Sequence, residues 1–251
     1  VPIEAIVGCS VGAIVGAMHA AVGMEPDEML LASRRLTPAS LLAFALSRWR
    51  LPGLSAAAHR RAGAIPECLA RLDRASFECL HHGVRRLGVL TFDIVRREEV
   101  FILGGPGLPA QMPVAAAVKA SAAIPVLFPP LSADMGGRRR YLADPGWFTA
   151  VPVERAFAPP LLAGRVIAVD LSLLVCPRQA RRAYWRGLQA ACGDRLLVLR
   201  PEVRGCGTIF SRRGDPARLT DAGEAAVERS LGALRAWQRA EAAPRAGFLD
   251  S

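Results

Sequence analysis

The chain has 251 residues and a mass of 26.8 kDa, which suits one large core rather than several small ones. Its hydrophobic share is 52% and its mean hydropathy +0.26, so a sizeable core is available even though aromatics are only 6% of residues. The net charge of +10 is carried almost wholly by arginine, with Lys119 the single lysine. That favours anionic partners, and since no arginine run is interleaved with aromatics, phospholipid headgroups rank above nucleic acid.

Cys9, Cys68, Cys79, Cys176, Cys192 and Cys206 are scattered without a C-x-x-C pair. Reduced thiols in a cytoplasmic protein are therefore expected, with no metal site and no cofactor. No basic stretch precedes the first apolar run, so no secretory signal is expected. The segment from Ala5 to Met24 is long enough to raise the question of a spanning helix. Its glycines, Ser10, His19 and its strand-like start argue against one.

In chain order, Pro2 to Val7 reads as a short buried strand and Val11 to Val22 as a helix of small residues. Pro26-Asp27-Glu28 opens a second helix, with proline and acids in its first turn, running to about Arg35. Thr37-Pro38 opens a third. The stretch from Leu41 to Arg61 is apolar on one side with arginines at its ends, a core-packing helix pair or a lipid-facing flap. Ile65 to Leu72 and Ser76 to His82 read as two short helices, completing a helical lobe at about 26–83.

Leu87 to Val95 and Glu99 to Leu103 read as strands joined in a hairpin by Arg96-Arg97-Glu98. Pro113 to Ala122 is a small-residue helix ending before Ile124-Pro125. Arg138-Arg139-Arg140 reads as a solvated turn or a headgroup contact, and Tyr141-Leu142-Ala143 as a strand that delivers Asp144. Val166 to Leu171 and Leu196 to Leu199 are buried strands, and Thr220 to Ala240 is a final amphipathic helix. Helices alternating with continuous apolar strands predict an α/β fold with a largely parallel central sheet.

Chemistry concentrates at Gly8-Cys9-Ser10-Val11-Gly12. Gly-x-Ser-x-Gly between a strand and a helix is the pattern of a nucleophile elbow, which exposes the serine hydroxyl at a sharp turn. Gly8 and Gly12 would allow close backbone approach, and the Val11 N–H would face a developing oxyanion at a helix start. The spacing of Gly8, Gly12 and Gly16 also fits close helix packing, so the motif alone leaves both readings open.

A serine nucleophile needs a base within reach. The histidines are His19, His59, His81 and His82, and none follows His82. His19 lies nine residues past Ser10 on the same helix, about 13 Å along its axis. A carboxylate base is then the alternative to a histidine. Asp144, after a strand and among apolar residues, is the best candidate, since burial raises a carboxyl pKa; Asp93 and Asp170 also follow apolar runs.

Three segments together resemble the patatin-like phospholipase family. They are Pro2 through Ala17 with the elbow, Val118 through Pro130, and Tyr141-Leu142-Ala143-Asp144-Pro145-Gly146 followed by Val151-Pro152-Val153. The resemblance implies a three-layer α/β/α fold and a Ser-Asp dyad without histidine. Ser10 would be the nucleophile and Asp144 the base, acting on phospholipid, lysophospholipid or other acyl esters at a peripheral membrane surface.

Two departures accompany it. The family's glycine-rich oxyanion segment lies upstream of the elbow, so 1–251 is expected to be a single, N-terminally truncated domain. Pro145 stands where glycine is usual, and Ala150 where asparagine is common. The alternative function is a catalytically impaired relative that binds membrane or acyl ligands without turnover.

Overall fold

A computed structural model describes residues 2–37, 39–40, 43–45, 65–146, 149, 151–171, 178–203 and 216–242. The organising strand is β2 (Arg86–Asp93), whose residues Leu87 to Asp93 are all buried. Burial on both faces explains why this segment reads as a near-continuous apolar run. Along one edge lies β3 (Glu98–Gly104), antiparallel from Leu87–Gly104 to Asp93–Glu98. In β3 only alternate residues (Val100, Ile102, Gly104) are buried, the period of a one-sided strand. Asp93 closes the hairpin, since its Oδ1 accepts the N–H groups of Val95 and Arg96.

The other edge of β2 is shared by two strands. β1 (Ala5–Gly8) runs parallel to its first half, ending with Gly8 opposite Val89. β5 (Arg138–Ala143) runs antiparallel to its end, with Ala143 opposite Phe92 and Leu142 opposite Asp93. The C-terminal ends of β1 and β5 therefore point at each other across Leu90 and Thr91, about 10 Å of strand. β4 (Leu131–Met135) pairs antiparallel with β5 through a two-residue turn, Gly136 and Gly137, both at positive φ. That is the type I′ geometry glycine pairs favour.

The expectation of a largely parallel sheet is corrected here. In this five-stranded sheet only β1–β2 is parallel; β2–β3, β2–β5 and β4–β5 are antiparallel. The physical reason is connection length, because β2–β3 and β4–β5 are joined by tight turns that only antiparallel neighbours allow. The triplet Arg138–Arg140 accordingly lies on a strand, not in a turn, and Arg140 pairs with Glu98 at 2.5 Å and Asp93 at 3.5 Å.

Helix α1 (Val11–Ala20) and α4 (Val114–Ser121) both pack on β2 and on each other. Ala13, Ala17, Ala20, Ala117 and Ala120 are fully buried there, and such small side chains let helices sit close to the sheet. Leu87, Val89 and Ile102 fill the space below, each contributing about 1.5–3 kcal/mol by burial.

Helices α2 (Pro26–Arg34) and α3 (Ile65–Arg74) are tied by Arg71–Glu28 at 2.5 Å and Arg35–Glu67 at 3.5 Å. Ser76 to His82, expected as a helix, is a run of turns. The Ser76 hydroxyl accepts the Glu78 N–H, and His82 and Gly83 take positive φ, which no helix tolerates. The expected segment Leu41–Arg61 lies almost wholly outside the described residues.

A second apolar cluster, around Val153, Ala168, Trp185 and Leu196, unites four elements: α5 (Val153–Phe157), β6 (Val166–Val169), α6 (Arg178–Cys192) and β7 (Leu196–Leu199). β6 and β7 pair in parallel, and the last helix, α7 (Pro216–Ala242), packs on β7. No described helix is long and apolar enough to cross a membrane.

Candidate active site

The head-to-head ends of β1 and β5 decide what meets. Ser10 follows β1 by two residues and Asp144 follows β5 directly, so both fall in the gap beside Leu90 and Thr91. There the Ser10 hydroxyl donates to Asp144 Oδ2 at 2.5 Å, although the two residues are 134 positions apart. Ser10 sits at φ 51°, ψ −125°, a conformation costly for an L-residue by about 1–2 kcal/mol. A serine before a helix ordinarily caps it through its side chain. Ser10 makes no such bond, and its hydroxyl is turned to the carboxylate instead.

Gly8 is needed because α1 starts directly over it. A Cβ there would lie 2.5 Å from the Gly12 carbonyl carbon and oxygen and 2.6 Å from the Ala13 nitrogen. The same reasoning, expected to hold for Gly12, does not, since a Cβ at Gly12 would meet nothing within 4 Å. The close approach uses Gly12's backbone, not its missing side chain. Among the described residues the Val11 N–H has no protein acceptor, and it opens α1 where the helix dipole is positive.

Asp144 is 5% exposed. Its Oδ1 accepts the Gly146 N–H at 2.7 Å and its own N–H donates to Ala123 O at 3.0 Å. Pro145 removes one N–H from the loop, and Gly146, where a Cβ would crowd Oδ1 at 2.9 Å, supplies the donor. Burial pushes the carboxyl's pKa above the ordinary aspartate range, against the pull of the Ser10 and Gly146 hydrogen bonds.

The neighbouring thiol offers no rival nucleophile. Burial first, then the charges of Asp144 and Glu99, push Cys9 up to about 12, which keeps it protonated. Its Sγ donates to Thr149 O at 3.5 Å.

The other carboxylates considered from sequence are engaged elsewhere. Asp93 is shared between its own turn and Arg140, and Asp170 lies 3.6 Å from Arg200. His19 contacts Met24 O through Nδ1 and stacks on His82 at 4.1 Å, while the His81 N–H bonds Ala20 O at the far end of α1. His59, Trp147, Phe148 and Ala150 lie outside the described residues.

Sequence reading missed two features of the surroundings. The Ser10 N–H donates to Ser121 Oγ at 2.9 Å, from the end of α4. The available signal was spacing, because Val114, Ala117, Val118 and Ser121 fall on one buried stripe, where a hydroxyl needs a partner. Glu99 binds Arg155 at 2.7 Å and the Thr149 hydroxyl, bridging β3, α5 and the loop after Asp144. No sequence signal marked that link.

The family description that matches this chain is patatin-like phospholipase, over residues 1–157. The matched span contains β1 through α5, and so both Ser10 and Asp144. No curated protein matches the chain.

Proposed function

The chain belongs to the patatin-like phospholipase family, and from that premise we propose that it hydrolyses carboxylic esters of phospholipids or lysophospholipids through an acyl-serine on Ser10. Members of the family act on lipid esters. The observation that carries the reading is the 2.5 Å hydrogen bond from the Ser10 hydroxyl to a buried carboxylate.

In the first half-reaction Asp144 Oδ2 takes the Ser10 proton as Oγ attacks the ester carbonyl. The carbonyl oxygen becomes an oxyanion facing the Val11 N–H, where the helix start stabilises it. Collapse expels the alcohol or lysolipid, which receives the proton from Asp144, and leaves an acyl-Ser10. Asp144 then takes a proton from water, hydroxide adds to the acyl carbonyl, and the fatty acid departs as Ser10 is reprotonated. The raised pKa suits a carboxylate to this exchange, since it narrows the gap to the serine hydroxyl.

The fold that goes with this reading is a three-layer α/β/α domain spanning 1–251, with a helical lobe at about 26–83. It works in the cytoplasm at a membrane surface. Helices α1 and α4 on β2 are consistent with one of those layers.

A fluorophosphonate probe tests the chemistry. Intact-protein mass should gain one phosphonyl group on Ser10, and Ser10→Ala should gain none. A wild-type chain that stays unlabelled at high probe concentration refutes the acyl-serine route and leaves a non-hydrolytic lipid binder.

A further inference from the structure

The N–H of Ser10 leads to a residue with no part in the mechanism above. It donates to Ser121 Oγ at 2.9 Å, and the Ser121 hydroxyl donates to Leu90 O at 2.6 Å. A hydroxyl has one proton, and a carbonyl can only accept, so the directions are fixed. Ser121 is fully buried and committed both ways, out of reach of any substrate. It is also the last residue of α4. Two residues on, Ala123 O accepts the Asp144 N–H at 3.0 Å. One helix end therefore grips the backbone of both reacting residues, and Leu90, in the gap between β1 and β5, anchors that end to the sheet.

We propose that Ser121 is a positioning residue for the hydrolysis. Through the Ser10 N–H it holds the elbow at the backbone angle from which Oγ meets Asp144, and together with Ala123 O it sets the spacing of the pair. The inference rests on the reading that Ser10 and Asp144 carry the reaction. An L-residue at φ 51° persists only where its surroundings over-determine it. Removing the hydroxyl frees the Ser10 N–H and leaves the buried Leu90 carbonyl without that donor, so the elbow relaxes. Substrate contacts are untouched, so the loss falls on kcat and on acylation, not on KM.

The test uses the full chain, a p-nitrophenyl ester and the fluorophosphonate probe. In Ser121→Ala, kcat and the Ser10 labelling rate should fall together by about 10–100-fold, the scale of a small misplacement of reacting groups, with KM within twofold. Ser121→Thr, which keeps the hydroxyl, should recover most of that loss. Equal impairment of the two variants overturns the proposal.

Amide hydrogen exchange gives a readout independent of turnover. The Ser10 amide should exchange as slowly as that of Ile14 in the wild-type chain, and at least tenfold faster in Ser121→Ala, with Ile102 unchanged. If Ser121→Ala does not fold, rapid exchange at Ser10 in the wild-type chain alone overturns the proposal. A wild-type chain that labels while Ser121→Ala labels at the same rate defeats the positioning role and leaves the Ser10–Asp144 reading standing. A wild-type chain that never labels defeats both.

Discussion

Replacing Asp144 by Asn separates chemistry from architecture at this site. The amide keeps an oxygen for the Gly146 N–H and fills the same volume, but it cannot accept the Ser10 proton. Among the described residues no other base bonds the Ser10 hydroxyl, and the described histidines make their contacts at the far end of α1. The full contribution of general-base catalysis should therefore be lost, a fall in kcat of about 10²–10⁴-fold. That corresponds to about 3–5 kcal/mol of barrier.

Stability moves the other way. Because burial raises the carboxyl's pKa in the folded chain, the proton binds more tightly to the folded than to the unfolded state. The associated stability is fully present below the unfolded pKa and is lost as pH rises through the folded one. Above the folded pKa the ionised carboxylate costs stability, so there Asp144→Asn should melt at the same temperature as wild type or higher. The acid limb of the wild-type kcat/KM profile should also lie above the ordinary aspartate range. Ester turnover against pH, with thermal melts of both proteins, reads all of this. A variant that keeps more than a tenth of wild-type kcat would refute the assignment of Asp144 as base.

Two glycines of the elbow should behave oppositely. Gly8→Ala drives a methyl into the backbone of Gly12 and Ala13 and should cost about 3 kcal/mol or more in urea unfolding. Gly12→Ala meets open space and should stabilise the chain by about 0.5–1 kcal/mol through helix propensity; a destabilised Gly12→Ala would contradict the geometry. Val126 is 94% exposed at φ 73°, a strained setting for a β-branched residue. Val126→Gly removes about 1–2 kcal/mol of strain, less part of it returned as chain entropy, and should raise the urea midpoint.

Much of the site could be read from the residues themselves. Gly8-x-Ser10-x-Gly12 after an apolar run fits an elbow or close helix packing, and the lack of a histidine after His82 favours a carboxylate base. Tyr141-Leu142-Ala143 as a strand delivering Asp144 is what the structure shows. The sheet was harder, because apolar runs report burial and not direction. β4 alternates strictly, with Leu131, Ala133 and Met135 half-buried between exposed Ser132 and Asp134, but it is only five residues long and its charged partner strand, Arg138 to Arg140, looks like surface. Ser121 escaped notice for a different reason. Its place on a buried helix stripe marks a hydroxyl that needs a partner, but the partners, Leu90 and Ser10, are 31 and 111 residues away and no local pattern names them.

The two strands that bring Ser10 and Asp144 together are not held equally. β1 pairs with β2 from Ala5 to Gly8 and continues into a helix packed on the core. The backbone pairing of β5 with β2 is shorter, comprising Phe92–Ala143 and Asp93–Leu142, with the Ile94 N–H to Tyr141 O just beyond and the Arg140–Asp93 ion pair beside it. Local opening follows the weakest attachment. The base-bearing strand should thus detach while the nucleophile is still in place. Inactivation on warming or in denaturant would then precede the cooperative loss of the core, and would reverse on cooling while the rest of the sheet stays closed.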